Sequence, residues 1–207
     1  MQLYLDHAAT TEVRAVAREA MRPYLSDAFA NPSGVHSAAQ RAKNAMEEAR
    51  ERVAGLLGAS RPLEIVFTGG GTEADNLAVA GSALAGGNRG GVVTTAIEHE
   101  AVLETAGFLK RLGSPVSIVG VDERGSVDPA AIASAVGDST VVVSVMAANN
   151  ELGTIQPVRD IGAAARDRNE DVHIHTDAVQ AFVSEPITVA STGADLIALA
   201  AHKFGGP

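Results

Sequence analysis

The chain has 207 residues, enough for one sizeable core, and its 46% hydrophobic and 20% charged side chains have the balance of a soluble globular protein. A net charge of −9 disfavours nucleic acid or an anionic membrane as a general partner, although a local nest of backbone amides can still hold a small anion. There is no cysteine, hence no disulfide and no thiol nucleophile, and no apolar stretch reaches the ~18 residues that a membrane span requires.

The opening MQLYLDHAATTEV lacks the basic-then-apolar pattern of a signal peptide, so the expected compartment is the cytoplasm. A helix is predicted from about Thr11 to Leu25, with Val13, Val16, Ala17, Ala20 and Met21 on one face. SDAFANPSGVHS reads as a loop, marked by Asn31-Pro32 and Ser33-Gly34. A long helix follows from Ser37 to Leu57, with a predicted apolar stripe of Ala38, Ala42, Ala45, Ala49, Val53 and Leu56 and a capping Gly58. Glu47, Glu48 and Glu51 read as its solvated face, and His7 and His36 as structural.

From there strands and helices alternate. LEIVF (63–67), VVTTA (92–96), VSIVGV (116–121), TVVVSVM (140–146), VHIHT (172–176) and DLIALA (195–200) read as strands. TEADNLAVAGSAL, HEAVLETAGFLKRL, DPAAIASAV and VRDIGAAARDR read as the intervening helices. This rhythm predicts an α/β domain built on a mostly parallel sheet flanked by helices. Such sheets bind ligands beyond the carboxyl ends of their strands. The unusual polar groups fall there: TGGGTE, IEHE, AANNELG, TDAVQ and the final HK.

Thr68-Gly69-Gly70-Gly71-Thr72-Glu73 opens a helix behind a predicted strand. Its glycines let the backbone form an amide cup, and the helix dipole favours an anion such as phosphate. A tight turn with a capping Thr is the plainer reading. Period-2 alternation puts His173, His175 and Asp177 on one side of a strand. That pattern suits an H-x-H metal site, a single functional carboxylate at Asp177, or an Asp capping a turn. Lys203 follows an apolar strand, where burial would favour a neutral, nucleophilic amine. His99 starts a helix and could stack on a flat ring or move protons, while Asn150 and Gln180 are neutral hydrogen-bonders. A phosphate cup, an acidic partner for a pyridinium nitrogen and a covalent lysine are the three parts that pyridoxal phosphate requires.

LYLDHAATT, NPSGVHSAAQRAKNAMEEAR, TGGGTEADNLA, IEHEAV, ANNELGTIQPV, HTDAVQA and AHKFGGP together resemble the cysteine desulfurases, the NifS/IscS-like branch of the class V aminotransferases. The likeness runs in order along all 207 residues. It implies the large domain of a pyridoxal-phosphate-dependent transferase of the aspartate aminotransferase-like fold. Residues 1–15 would be an N-terminal segment of the small-domain region, 16–207 an incomplete cofactor-binding large domain, and the C-terminal small domain would be absent. It also implies residue roles. Lys203 would bind pyridoxal 5'-phosphate covalently and move the substrate α-proton. Asp177 would pair with the ring nitrogen, Gln180 with the phenolic oxygen, and His99 would stack on the ring and share in proton transfer. Gly71, Thr72 and His202 would hold the phosphate, and Asn150 would contact cofactor or substrate. The implied reaction takes sulfur from L-cysteine, leaving L-alanine and a persulfide for iron–sulfur cluster or thio-cofactor assembly. The implied partners are a sulfur-acceptor or scaffold protein and a second copy in a homodimer.

Two departures stand out. Where the family usually has a Ser or Thr two or three residues before the lysine's histidine, this chain runs Ala198-Leu199-Ala200-Ala201. One phosphate contact is then lost. The sulfur-accepting cysteine loop and the carboxylate-binding arginine, which the family carries later, are missing, so the fragment by itself is expected to be inactive. Other readings are another class V activity, such as selenocysteine lyase or an aminotransferase, or a cofactor- or partner-binding remnant without turnover. A metal-dependent hydrolase on His173, His175 and Asp177 is a further alternative.

Overall fold

The computed structural model describes residues 3–85 and 89–207. Packing divides the chain into two units. One is Thr68–Ala200, and the other joins Met1–Phe67 to Ala201–Pro207.

In the second of these, helix α1 spans Ala15–Met21 and tightens into a 3-10 turn over Arg22–Leu25. The predicted helix is therefore present but starts late. Helix α2 spans Ser37–Leu57 and ends on Gly58, whose φ of 70° is the left-handed conformation that glycine adopts without a Cβ penalty. His36 caps its start, its side chain accepting from the Ala39 N–H. The inward line is Ala39, Ala54 and Leu57, one residue on from the predicted stripe, and Leu56 stays 67% exposed. An alanine-rich helix has apolar groups on neighbouring lines, so its composition does not define a sharp face. Thr11 ties the two ends of this unit together. Its N–H and hydroxyl both donate to the His202 carbonyl, at 2.9 and 2.8 Å, and its hydroxyl oxygen accepts from the Gly205 N–H at 2.7 Å.

The predicted strand at 63–67 does not form. Pro62 seeds a 3-10 turn over Pro62–Glu64, and Leu63 and Val66 are 79% and 63% exposed. A strand needs a neighbour for its backbone groups. Among the described residues none pairs with this one. Instead the Arg50 guanidinium donates to the Ile65 carbonyl and lies 4.9 Å from the centre of the Phe67 ring.

Thr68–Ala200 is an α/β unit. It contains α3 (Gly71–Leu84), β1 (Gly91–Thr95), α4 (Glu100–Arg111), β2 (Val116–Val119) and α5 (Pro129–Ala135). It continues with β3 (Thr140–Ser144), α6 (Val158–Arg166), β4 (His173–Asp177), a short α7 (Val189–Thr192) and β5 (Leu196–Ala198). The five strands are all parallel, in the order β2-β1-β3-β4-β5. Helix α7 had no periodic signal, being a single turn fixed by a Thr188–Ser191 capping box.

Strand alternation sorts the core into two faces. Val92 and Val142 pack with Val79 and Ala83 of α3 and Leu109 of α4. Val93, Val143 and Ile174 pack instead with Ile132 of α5 and Ile161 of α6. With Ile174 turned toward α5 and α6, His175 and Asp177 belong to the face covered by α3. Ile161 is fully buried where α6 meets the sheet. Ile161→Ala is expected to cost about 2–5 kcal/mol of unfolding free energy, read as a lower urea midpoint at unchanged slope.

Candidate functional site

Helix α3 opens without a side-chain cap, on Gly70 and Gly71. A Cβ on Gly71 would stand 3.2 Å from Val179 Cγ2 and 3.3 Å from Ala200 Cβ. The first turn of α3 therefore lies directly against the turn after β4 and the segment after β5. Glycine keeps the backbone close there and leaves the amides of the helix start unshielded. Thr72 is exposed beside it. Thr68 donates its hydroxyl to the Gly70 carbonyl at 3.0 Å, and the Glu73 carboxylate accepts from the Gly69 N–H at 2.5 Å. Glu73 thus occupies one amide of the cup. Ala200 presents a methyl group to it where a hydroxyl could have donated.

Asp177 closes β4, buried to 5% exposure, with Oδ1 accepting from the Val179 N–H at 2.9 Å. That bond turns the chain at Ala178 and brings Val179 against Gly71. The carboxylate and the glycine cradle are therefore neighbours, built from adjacent residues of one turn. Gln180 follows, half-buried.

His99 caps α4, its Nδ1 accepting from the Ala101 N–H at 3.1 Å, so Nε2 is the nitrogen left for other chemistry. It borders a cavity of about 400 Å³ lined by Glu98, Glu100, Asn149 and Asn150 among others. That cavity lies beyond β1 and β3, where the strand order reverses direction, the place such sheets use for ligands. Asn150 is exposed, whereas Asn149 is buried and structural. Asn149 donates to the Ile97 carbonyl at 2.9 Å and accepts from the N–H groups of Glu151 and Leu152.

His202 and Lys203 fall in the other unit, in a 3-10 turn over Ala201–Lys203. Lys203 is half-buried, and its amine donates to the carbonyls of Ala8 and Ala9. The apolar strand ends at Ala198 and the backbone has already turned, so the amine stands beyond the strand's end rather than within the core. Asp177, Gln180, Gly71 and Thr72 gather around one turn, and His99 and Asn150 share one cavity. His173 is exposed and His175 fully buried, so the H-x-H pair does not face one space. Among the described residues no group of three or more His, Cys, Asp or Glu side chains could hold a metal ion.

Two buried carboxyls escaped the sequence reading. Glu98 is 6% exposed, and its Oε1 accepts from the Thr95 hydroxyl at 2.7 Å and the Met146 N–H at 2.9 Å. Burial, against those two bonds and helped by the charge of Asp177, pushes its pKa up to about 8. Asp75 is 2% exposed and is likewise pushed up to about 8, by burial first and then by Asp177 and Glu98. A signal for Asp75 was present: it continues the inward line of α3, Val79 and Ala83, at four-residue spacing. Glu98 gave none, since it lies in the turn between β1 and α4. A carboxyl whose pKa is higher folded than unfolded binds more protons in the folded state. Its stabilising effect is complete at pH below about 4.5 and is lost as pH rises through about 8. Unfolding free energy should therefore fall across that window, and Glu98→Gln should flatten the fall, measured by urea titration at successive pH values.

A family description, Aminotransferase class-V, matches residues 3–207. The chain is 43% identical over 207 residues to the cysteine desulfurase IscS of Dictyoglomus turgidum, covering 100% of this chain and 52% of that protein. It is 43% identical over 206 residues to the cysteine desulfurase IscS of Methanosarcina thermophila, covering 99% and 50%. Among solved structures, a NifS-like protein matches at a TM-score of 0.93 with 39% identity, over 100% of this chain and 57% of that one. SspA in complex with cysteine matches at 0.92 with 40% identity, over 100% and 59%. The chain thus spans about half the length of the curated relatives it matches. Pyridoxal phosphate is the cofactor of this class of enzyme. With its parallel sheet, its helix order and the match along nearly its whole length, the chain belongs to the class-V aminotransferase family.

Proposed function

We propose that the chain carries the cofactor-binding part of a pyridoxal-phosphate-dependent cysteine desulfurase, which takes sulfur from L-cysteine and leaves L-alanine. The observation that carries this reading is the glycine cradle at Gly71, pressed against Val179 and Ala200, with the Asp177 carboxylate two residues before Val179. Backbone amides at a helix start suit a phosphate, and a buried carboxylate suits a ring N–H, so the residues present fit the cofactor. When bound, the group supplies an electron sink for the carbanion formed at the substrate α-carbon.

The chain's own residues do the rest. Asp177, held by the Val179 N–H, keeps a negative charge where a ring nitrogen would be protonated. Gly71 and Thr72 offer amides to the phosphate, and Gln180 orients the ring oxygen. His99, with Nδ1 committed to its cap, would stack through the face of its ring and use Nε2 to shift a proton. Asn150 contacts cofactor or substrate, His202 adds to the phosphate grip, and Lys203 carries the cofactor and moves the α-proton. Residues 1–15 belong to the small-domain region and 16–207 to the large domain.

A persulfide needs a thiol, and these 207 residues contain no cysteine. The sulfur therefore passes to a cysteine outside them, on a further segment or a partner protein that feeds iron–sulfur cluster or thio-cofactor assembly. The compartment is the cytoplasm and the assembly a homodimer. No helix among the described residues is long and apolar enough to cross a membrane. The lack of cysteine, with Ala200 facing the phosphate cup, favours a second reading: a cofactor- or partner-binding piece without turnover. Alanine release from L-cysteine by the chain alone would remove it.

The first test is absorption after adding pyridoxal phosphate and removing the excess. A band near ~400 nm that disappears in Lys203→Ala supports the reading, and its absence in the unaltered chain rejects it. Ala200→Ser should restore a phosphate contact. At about 0.5–1.5 kcal/mol for one hydrogen bond, cofactor affinity should rise by about 2- to 10-fold in a titration of that band.

A further inference from the structure

Helix α3 turns the line Asp75, Val79 and Ala83 toward the sheet. Two of these are ordinary core residues and the third is a carboxyl. Asp75 Oδ1 is buried with no hydrogen-bond partner, and 3.6 Å away is His175 Nε2, also buried and also without one. The gap lies just beyond hydrogen-bond reach. On its other side, His175 Nδ1 is 2.8 Å from the Ser144 hydroxyl, its register partner on β3. His175 is 0% exposed, on the same side of β4 as Asp177 two residues later. Two facing polar atoms left unpaired in a core are costly unless a proton can be placed between them.

Two proton arrangements satisfy the row without adding a buried charge: hydrogen on Nε2 facing the Asp75 carbonyl oxygen with Ser144 donating to Nδ1, or hydrogen on Nδ1 with Asp75 donating to Nε2, and the second pairs the stronger donor, a carboxyl O–H, with the stronger acceptor, an imidazole nitrogen. Burial holds the imidazole neutral, its pKa lowered to about 4, so it has one N–H to give. If that hydrogen is on Nδ1, it bonds Ser144, and Nε2 is left as an acceptor. A protonated Asp75 then has a proton to offer it. The groups acting on Asp75 are burial, Asp177 and Glu98, and no lysine or arginine is among them. Asp75 on α3, Glu98 after β1 and Asp177 on β4 are thus three carboxyls in one low-dielectric region, where like charges exclude one another. Asp177 accepts a backbone N–H, which favours its ionised form, whereas Asp75 Oδ1 accepts no hydrogen bond and faces only the imidazole at 3.6 Å.

We propose that Asp75 and His175 form a buried proton-holding pair, Asp75 keeping its proton and offering it to His175 Nε2, so that the negative charge at the end of β4 is confined to Asp177. Both are positioning residues. They leave a single anion for a single ring cation and place no competing imidazolium beside it. The role rests on the reading of Asp177 as the partner of the cofactor's ring nitrogen.

The test is nitrogen NMR of the chain with labelled histidines, recorded without cofactor and again with pyridoxal phosphate. His175→Gln identifies the resonance. The expected result is a neutral ring at pH 6 to 7 with hydrogen on Nδ1 and a bare, hydrogen-bonded Nε2. Asp75→Asn, whose amide can donate in the same place, should preserve that pattern, and Asp75→Ala should lose it. A ring protonated on both nitrogens at pH 7, or one with hydrogen on Nε2 in the unaltered chain, overturns the proposal. That measurement needs no variant beyond the assignment, so a failure of either Asp75 variant to fold leaves it decisive. If the ~400 nm band is missing while the histidine pattern is present, the desulfurase reading fails and the proton-holding pair stands. If the band is present and the pattern absent, the pair fails alone.

Discussion

Strand β4 has to serve a sheet that is buried on both faces, and that constraint shapes the rest of this molecule. A parallel sheet covered by helices has no wet face on which to place polar side chains. Its polar groups must lie at the carboxyl edge or be satisfied inside. Ile174 meets the first demand of burial by packing under α5 and α6. His175 and Asp177 point the other way, under α3, and each needs a partner that a hydrophobic layer does not offer. The structure answers with Ser144 from β3, Asp75 from α3 and the Val179 N–H from the turn. Glycine at 71 then allows α3 to begin close against that turn. The candidate phosphate cup and the candidate ring-nitrogen partner are thus two consequences of one packing arrangement.

The same constraint explains which parts of the fold were legible in the sequence. VVTTA, TVVVSVM and VHIHT are β-branched runs bounded by turns, and a doubly covered strand has to look like that. Their order and the intervening helices follow from the rhythm, and the right-handed crossover rule limits how they connect. LEIVF at 63–67 carries an equally good local signal and forms no strand. Pairing is not a property of one segment, and nothing in the run itself specifies a neighbour. On α2, Ala39 and Ala38 are chemically identical, so the inward line was ambiguous by one residue.

The candidate site was legible where residues project from strand ends. Gly71, Thr72 and His99 stand at helix starts and Asp177 at the end of β4, whereas Gln180 and Asn150 lie in the loops that follow β4 and β3. Lys203 follows an apolar run, which by itself fits either a buried amine or a lysine just past a strand's end. That run ends at Ala198, and the four residues between carry the chain into a half-buried 3-10 turn. The pattern HIHTD invites a metal reading because spacing alone cannot separate a ligand from a core histidine. Burial separates them: one histidine is in solvent, and the other is locked between Ser144 and Asp75. Asp75 and Glu98 went unnoticed for the converse reason. A carboxyl in a helix or a turn is usually solvated, and only the inward line of α3 marks Asp75 as different.

What distinguishes this chain chemically is the meeting of Gly71 with Ala200. A cup made of backbone amides alone is permissive, since it binds an anion by dipole and geometry and gives up little when one side chain changes. A hydroxyl at position 200 would add a directed donor to it. Ala200 instead leaves the cup to the helix start, and the Glu73 carboxylate already occupies the Gly69 amide. A phosphate that used the Gly69 amide would have to displace that carboxylate as well as shed its own water. At that amide an anion and Glu73 would compete for the same donor. The buried carboxyl behind it acts on a different term. Its proton decides how much negative charge stands beside Asp177, and so how strongly a ring cation is held, without touching the phosphate at all.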